Sequence, residues 1–135
     1  FSRCVAQWTG KDAEKKTVRF RRIAAEAAKQ SGRAVVPVID PPVSFAAALG
    51  LLSRHEKVFV PWEEAEGRGV KSHWNGERDL AVLIGPEGGI AQEEIAALQA
   101  LSAVPVTLGP RIFRTETAGL AALISILTLT NDMGW

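Results

Sequence analysis

The period of apolar and polar positions changes several times along the chain, and each change predicts an element. Arg3 to Gln7 reads as a short strand. From Asp12 to Ser31, Phe20, Ile23, Ala24, Ala27 and Ala28 recur at i, i+3, i+4, i+7 and i+8, the spacing of one helix face. Gly32 then stands where a helix closes. Ala34 to Ile39 is β-branched and strand-like, and Asp40-Pro41-Pro42 breaks it. Ser44 can cap a short helix through Leu52. Lys57 to Val60 is a strand ended by Pro61, Leu80 to Ile84 the next, and Val104 to Leu108 the last. Gln92 to Leu101 and Thr115 to Thr130 read as helices. Between them Glu63 to Arg78 is polar, with Gly67, Gly69, Asn75 and Gly76, and reads as a loop.

Strands and helices alternate, which predicts an α/β fold: a mostly parallel sheet with helices on both faces. Length points to a single domain over residues 1–135. In such sheets ligands sit beyond the carboxyl ends of the strands. Two glycine loops fall there, Gly85 to Gly89 and Gly109 to Arg114.

Composition narrows the class only a little. Apolar residues make up 47% and charged residues 23%, which is ordinary for a globular chain. A net charge of +1 selects no partner by itself, so only the distribution of charge can. Residues 11–33 hold eight basic and three acidic side chains. Lys15, Lys16, Arg19 and Arg22 can share one helix face, either as a solvated surface or as contacts to phosphate. Cys4 is the only cysteine, and no Cys/His cluster has metal-ligand spacing, so no metal is expected. A reducing, cytoplasmic setting fits this cysteine usage. His55 and His73 are isolated and read as ordinary surface histidines. Thr117 to Asn131 is uncharged and largely apolar, but shorter than the ~17–25 residues of a membrane span. The chain opens on Phe1-Ser2-Arg3 rather than Met, as a piece of a longer protein would.

The first glycine loop, within LIGPEGG at 83–89, lacks the Gly-Lys-Ser/Thr of a phosphate-binding loop and the spacing of a dinucleotide fingerprint. Glu87 would repel a phosphate. A ligand with a cationic centre and hydroxyls, such as an adenosine carrying a sulfonium, suits it; so does a tight turn that only caps the next helix. The second loop lies in LGPRIFRTETAGLAAL at 108–123. There Thr115 or Thr117 can cap the last helix, with Glu116 in its first turn. Arg114 is either a local partner of Glu116 or a guanidinium aimed into a pocket floored by both loops.

LIGPEGG and LGPRIFRTETA in this order, preceded by EKKTVRFRRIAAEAAKQSGR at 14–33, resemble the ribosomal RNA uridine-N3 methyltransferases (the RsmE family) of the SPOUT superfamily. The resemblance runs from about Arg3 to the end of the chain. It starts inside the family's catalytic domain, after the small N-terminal RNA-binding barrel. It implies a trefoil knot over about 80–130, S-adenosylmethionine as cofactor, 16S ribosomal RNA of the small subunit as substrate, and a homodimer packed through the knot region. Cofactor contacts carry over to Ile84, Gly85 and Gly88, to Leu108, Gly109, Ile112 and Phe113, and with weaker motif support to Val60 and Pro61. Phe113 replaces the family's usual leucine, and Lys29 stands where an acidic residue is common.

For methyl transfer to uridine N3, Arg114 is the leading candidate to stabilise developing negative charge. Glu116 or Glu87 could accept the proton if buried. Arg19, Arg22, Gln30 and Arg33 are the candidates for RNA contact. The last helix is apolar around most of its circumference, so it must be covered on all sides, by a second copy or by the rest of one chain. A non-catalytic, knotted dimer fragment that binds cofactor or RNA is the alternative reading.

Overall fold

The computed structural model describes residues 1–4, 8 and 10–133. They fall into two compact units, Phe1–Val5 with Phe45–Trp135, and Ala6–Ser44.

The larger unit is built on three short parallel strands, β1 (Lys57–Pro61), β2 (Leu80–Val82) and β3 (Val104–Val106), in the order β2-β1-β3. The register pairs Lys57 with Leu80 and Phe59 with Val104. Alternation along the central strand sorts the core into two layers. Val58 and Val60 point to a face covered by Phe45 and Leu49 of α2 (Phe45–Leu52) and by Ile95 and Leu98 of α3 (Gln92–Ala100). Phe59 points to the other face, where it meets Val106 and Ile126 of α4 (Thr115–Leu129). Phe59, Leu98, Val60 and Val106 are the largest fully buried side chains. Each contributes roughly 1.5–3 kcal/mol by burial. The α/β fold with a parallel sheet and helices on both faces is therefore present. β2 and β3 are shorter than expected, ending at Val82 and Val106 where the chain turns into loops, while β1 runs one residue further than expected, to Pro61.

Among the described residues, α4 is covered on one side only. Ala122 and Ile126 are buried against the sheet, yet Leu120 is 59% and Leu123 50% exposed. Ile124 is exposed beside them.

The smaller unit holds α1 (Gly10–Gln30) and an extended tail. Gly32, at φ +69°, ends α1, with the Arg33 N–H donating to the Ala28 carbonyl at 2.9 Å, as expected of a closing glycine. The strand expected over Ala34–Ile39 does not form. Its β-branched residues favour extended dihedrals, but only pairing makes a strand, and Pro37 has no N–H to give. Val35, Val36 and Val38 are exposed, and a bond of 2.8 Å from Arg21 Nε to the Ile39 carbonyl ties the segment to α1. Phe20 and Ile23, on the apolar face of α1, are also exposed. Of the strand expected at Arg3–Gln7, residues 5–7 lie outside the described residues, and Arg3 and Cys4 are not in a strand. No helix among the described residues is long and apolar enough to cross a membrane.

Candidate functional site

Because the three strands are parallel, the loops that follow them emerge at one end of the sheet. They enclose a cleft of about 950 Å³. Its walls are Pro61 to Glu63 after β1, Ile84 to Glu87 and Gly89 to Ile90 after β2, Thr107 to Arg114 after β3, and the first turn of α4. That volume lies within the ~300–1,000 Å³ of small-molecule sites.

Of the residues expected to hold a cofactor, Pro61, Ile84, Gly85, Leu108, Gly109, Ile112 and Phe113 line this cleft. Val60 does not; it is fully buried and supports the loop from below. Gly88 is not on the wall either, and its lack of a side chain is used elsewhere. A Cβ on Gly88 would stand 2.6 Å from the backbone oxygen of Arg3. The turn itself closes through a Gly89 N–H to Pro86 carbonyl bond of 2.9 Å, with Gly89 at φ +76°. Gly109 differs: its φ of +117° demands glycine, but nothing lies within 4 Å of where a Cβ would be. Thr107 Oγ1 accepts the Gly109 N–H at 3.1 Å and steadies that turn.

Glu87, Arg114 and Glu116 all line the cleft and all are exposed. The burial that a proton-accepting role asks of either carboxylate is thus absent in the single chain. Arg114 itself is the N-cap residue of α4, in place of Thr115 or Thr117, and its carbonyl accepts the Thr117 and Ala118 N–H groups at 2.9 and 2.7 Å. Its guanidinium makes no ion pair with Glu116 or with any other described residue. The positive end of the α4 dipole and a free guanidinium therefore face the same space, an arrangement that favours negative charge.

Arg19, Arg22, Gln30 and Arg33 belong to the smaller unit and are exposed. On the expected basic face, Lys16 places its Nζ 4.2 Å from the centre of the Trp8 ring. Among the described residues, no group of three or more His, Cys, Asp and Glu could hold a metal ion.

Three contributors were not anticipated. Trp62 and Glu63 line the cleft, and the Trp62 Nε1 is a buried donor with no partner among the described residues. Such a donor marks a place where a missing acceptor would be stabilising. Glu94, at the third position of α3, accepts the Ala91 N–H at 3.0 Å and the Ser2 N–H at 2.7 Å. Burial opposes ionisation of Glu94, but the backbone donors of Ala91 and Ser2 outweigh it and hold the carboxyl below its ordinary range. An acid three residues into a helix is a readable capping signal; its second donor, from the far end of the chain, is not.

Comparison with known proteins bears on this geometry. A family model described as RNA methyltransferase domain matches residues 1–127. The chain belongs to that family. A ribosomal RNA small subunit methyltransferase E from Mycobacterium bovis is 38% identical over 134 residues, covering 96% of this chain and 51% of the relative. The Bacillus subtilis protein of the same name is 37% identical over 132 residues, covering 93% and 52%. The crystal structure of a ribosomal RNA small subunit methyltransferase E from Neisseria gonorrhoeae, bound to S-adenosyl methionine, superposes with a TM-score of 0.80 at 31% identity. That match covers 93% of this chain and 53% of the other. This RNA methyltransferase domain thus spans about half the length of the curated relatives it matches. The family agrees with the resemblance carried by the three motifs.

Proposed function

We propose that this chain is the catalytic part of an S-adenosylmethionine-dependent methyltransferase that modifies N3 of a uridine in 16S ribosomal RNA. The observation that carries this reading is the convergence of both signature loops and Arg114 on one cleft. The cleft suits the cofactor: its size fits an adenosine, Gly109 leaves backbone open, and Trp62 offers a donor without a partner. Ile84, Gly85, Leu108, Gly109, Ile112, Phe113 and Pro61 would hold it, with Val60 and Gly88 shaping the loops behind. When bound, S-adenosylmethionine supplies a methyl group on a sulfonium, which leaves as a neutral thioether.

The chain's own part is to position the uracil and stabilise charge. Loss of the N3 proton puts negative charge on the ring, and Arg114 with the α4 N-terminus would hold it. Glu87 or Glu116 would accept that proton once bound RNA or a second copy covers it. Orientation in the cleft supplies a large part of the acceleration, of the order of 7–11 kcal/mol in favourable cases.

Arg19, Arg22, Gln30 and Arg33 would contact the RNA backbone. We read residues 1–135 as one SPOUT-type domain knotted over about 80–130, working in the cytoplasm as a homodimer. The open apolar face of α4, with Leu120, Leu123 and Ile124, supports the dimer. Calorimetric titration with S-adenosylmethionine, beside methyl transfer to small-subunit RNA, tests the reading. Saturable binding near one site per chain is expected; a folded chain that binds no cofactor would sink it.

A further inference from the structure

The loop from Gly85 to Ile90 forms one wall of the cleft, yet its shape is set largely from outside the cleft. We propose that Phe1–Arg3 is a strap that fixes this loop in its ligand-binding shape, with Glu94 as the anchoring, positioning residue. The proposal rests on the cofactor reading above and deepens it.

Contacts from all three residues define the strap. The Glu94 carboxylate takes the Ser2 N–H on Oε1 at 2.7 Å and the Ala91 N–H on Oε2 at 3.0 Å. One buried carboxylate therefore clamps the strap to the residue at which the loop passes into α3. The Arg3 carbonyl then occupies the space that a side chain on Gly88 would need, 2.6 Å from its Cβ position. Beside it, Glu63 Oε1 and Arg3 Nη1 stand 2.5 and 3.9 Å from the Cβ position of Gly89, so side chains of the strap and of the loop after β1 both lie against Gly89. At its far end, the Phe1 ring packs on Phe45 of α2 with centroids 5.4 Å apart. The other end of the loop is tied to the sheet by the Leu83 N–H to Phe59 carbonyl bond of 2.9 Å. A loop held at both ends and along its back presents its backbone to a ligand already ordered, which lowers the entropy lost on binding.

Ser2→Pro tests this, because it deletes the N–H that Glu94 accepts, while Ser2→Thr keeps that N–H and a hydroxyl. Cofactor affinity and amide hydrogen exchange of residues 84–91 are measured on both variants and on the original chain. Expected for Ser2→Pro is about tenfold weaker S-adenosylmethionine binding, the factor matching one charge-assisted hydrogen bond. Faster exchange confined to the loop should accompany it, with Ser2→Thr close to the original. Unchanged affinity and unchanged loop exchange in Ser2→Pro would overturn the strap. If the original chain itself binds no cofactor, the functional reading fails separately, and loop exchange alone decides the strap. If Ser2→Pro does not fold, Glu94→Gln takes its place, since its amide nitrogen can no longer accept one of the two N–H groups.

Discussion

The two glycine loops of the cleft look alike in sequence and behave oppositely in the structure. In the first, the missing side chains are taken up by the protein itself. A Cβ on Gly85 would lie 2.5 Å from Ile90 Cγ1, and one on Gly88 would lie 2.6 Å from the Arg3 backbone. In the second, Gly109 has open space around it, Ile112 is 84% exposed, and Arg114 has no ionic partner among the described residues. One wall of the cleft is finished and the other waits. Glycine in a ligand-binding loop therefore has two meanings: room for the protein's own backbone, or room for something else.

The largest effect should come from the waiting loop. Arg114→Ala is expected to slow methyl transfer about 100-fold to 1,000-fold, the cost of losing one oriented charge at a reacting centre. Its melting temperature and cofactor affinity should stay near the original, which equilibrium binding and calorimetry would check. Gly88→Ala should act through stability instead, lowering it by about 1–3 kcal/mol as an overpacked site. Urea denaturation reads that directly, and an unperturbed midpoint would mean the strap yields freely. Gly109→Ala meets no atom, so only its left-handed backbone should resist, for about 1 kcal/mol. Ile112→Ser should shift stability by less than about 0.5 kcal/mol while weakening the cofactor, because the side chain is largely exposed in the free chain.

Acid offers a control far from both loops. Glu77 accepts the Asn75 N–H at 2.7 Å and pairs with Lys57 at 3.1 Å, at the amino ends of β1 and β2. The Asn75 N–H, its own N–H and Lys57 pull its pKa from 4.5 to about 2. A carboxylate depressed in the folded state stabilises fully above about pH 4.5, and that share is lost as pH falls towards 2. Glu94, also depressed, should give way in the same direction. Glu77→Gln should flatten the pH dependence of stability in this range. It should leave the order of the loop variants unchanged, as pH-resolved denaturation would reveal.

Much of this was legible beforehand, for definite reasons. Phe20 to Ala28 carry a 3.6-residue period, so α1 was readable, and short apolar runs ending in Pro61 or Gly85 marked β1 and β2. The parallel sheet followed from alternation, and the cleft from glycine loops placed after strands. Ala34–Ile39 misled because β-branched residues encode dihedrals and not partners. The crowding of Gly88 was not legible, because it comes from Arg3, 85 positions earlier, a separation no local pattern records. Trp62 was invisible for a related reason: whether an indole N–H has an acceptor depends on the assembled loops.

α4 begins at the cleft with Arg114 and Glu116 and continues into an open apolar flank of Leu120, Leu123 and Ile124. In the proposed dimer this one helix would belong to two equilibria, loading of the cleft and pairing of copies. Whatever steadies the helix for one steadies it for the other, and by linkage the debt is mutual. Cofactor affinity would then be a function of how concentrated the protein is, strengthening on crowding of copies and fading on dilution.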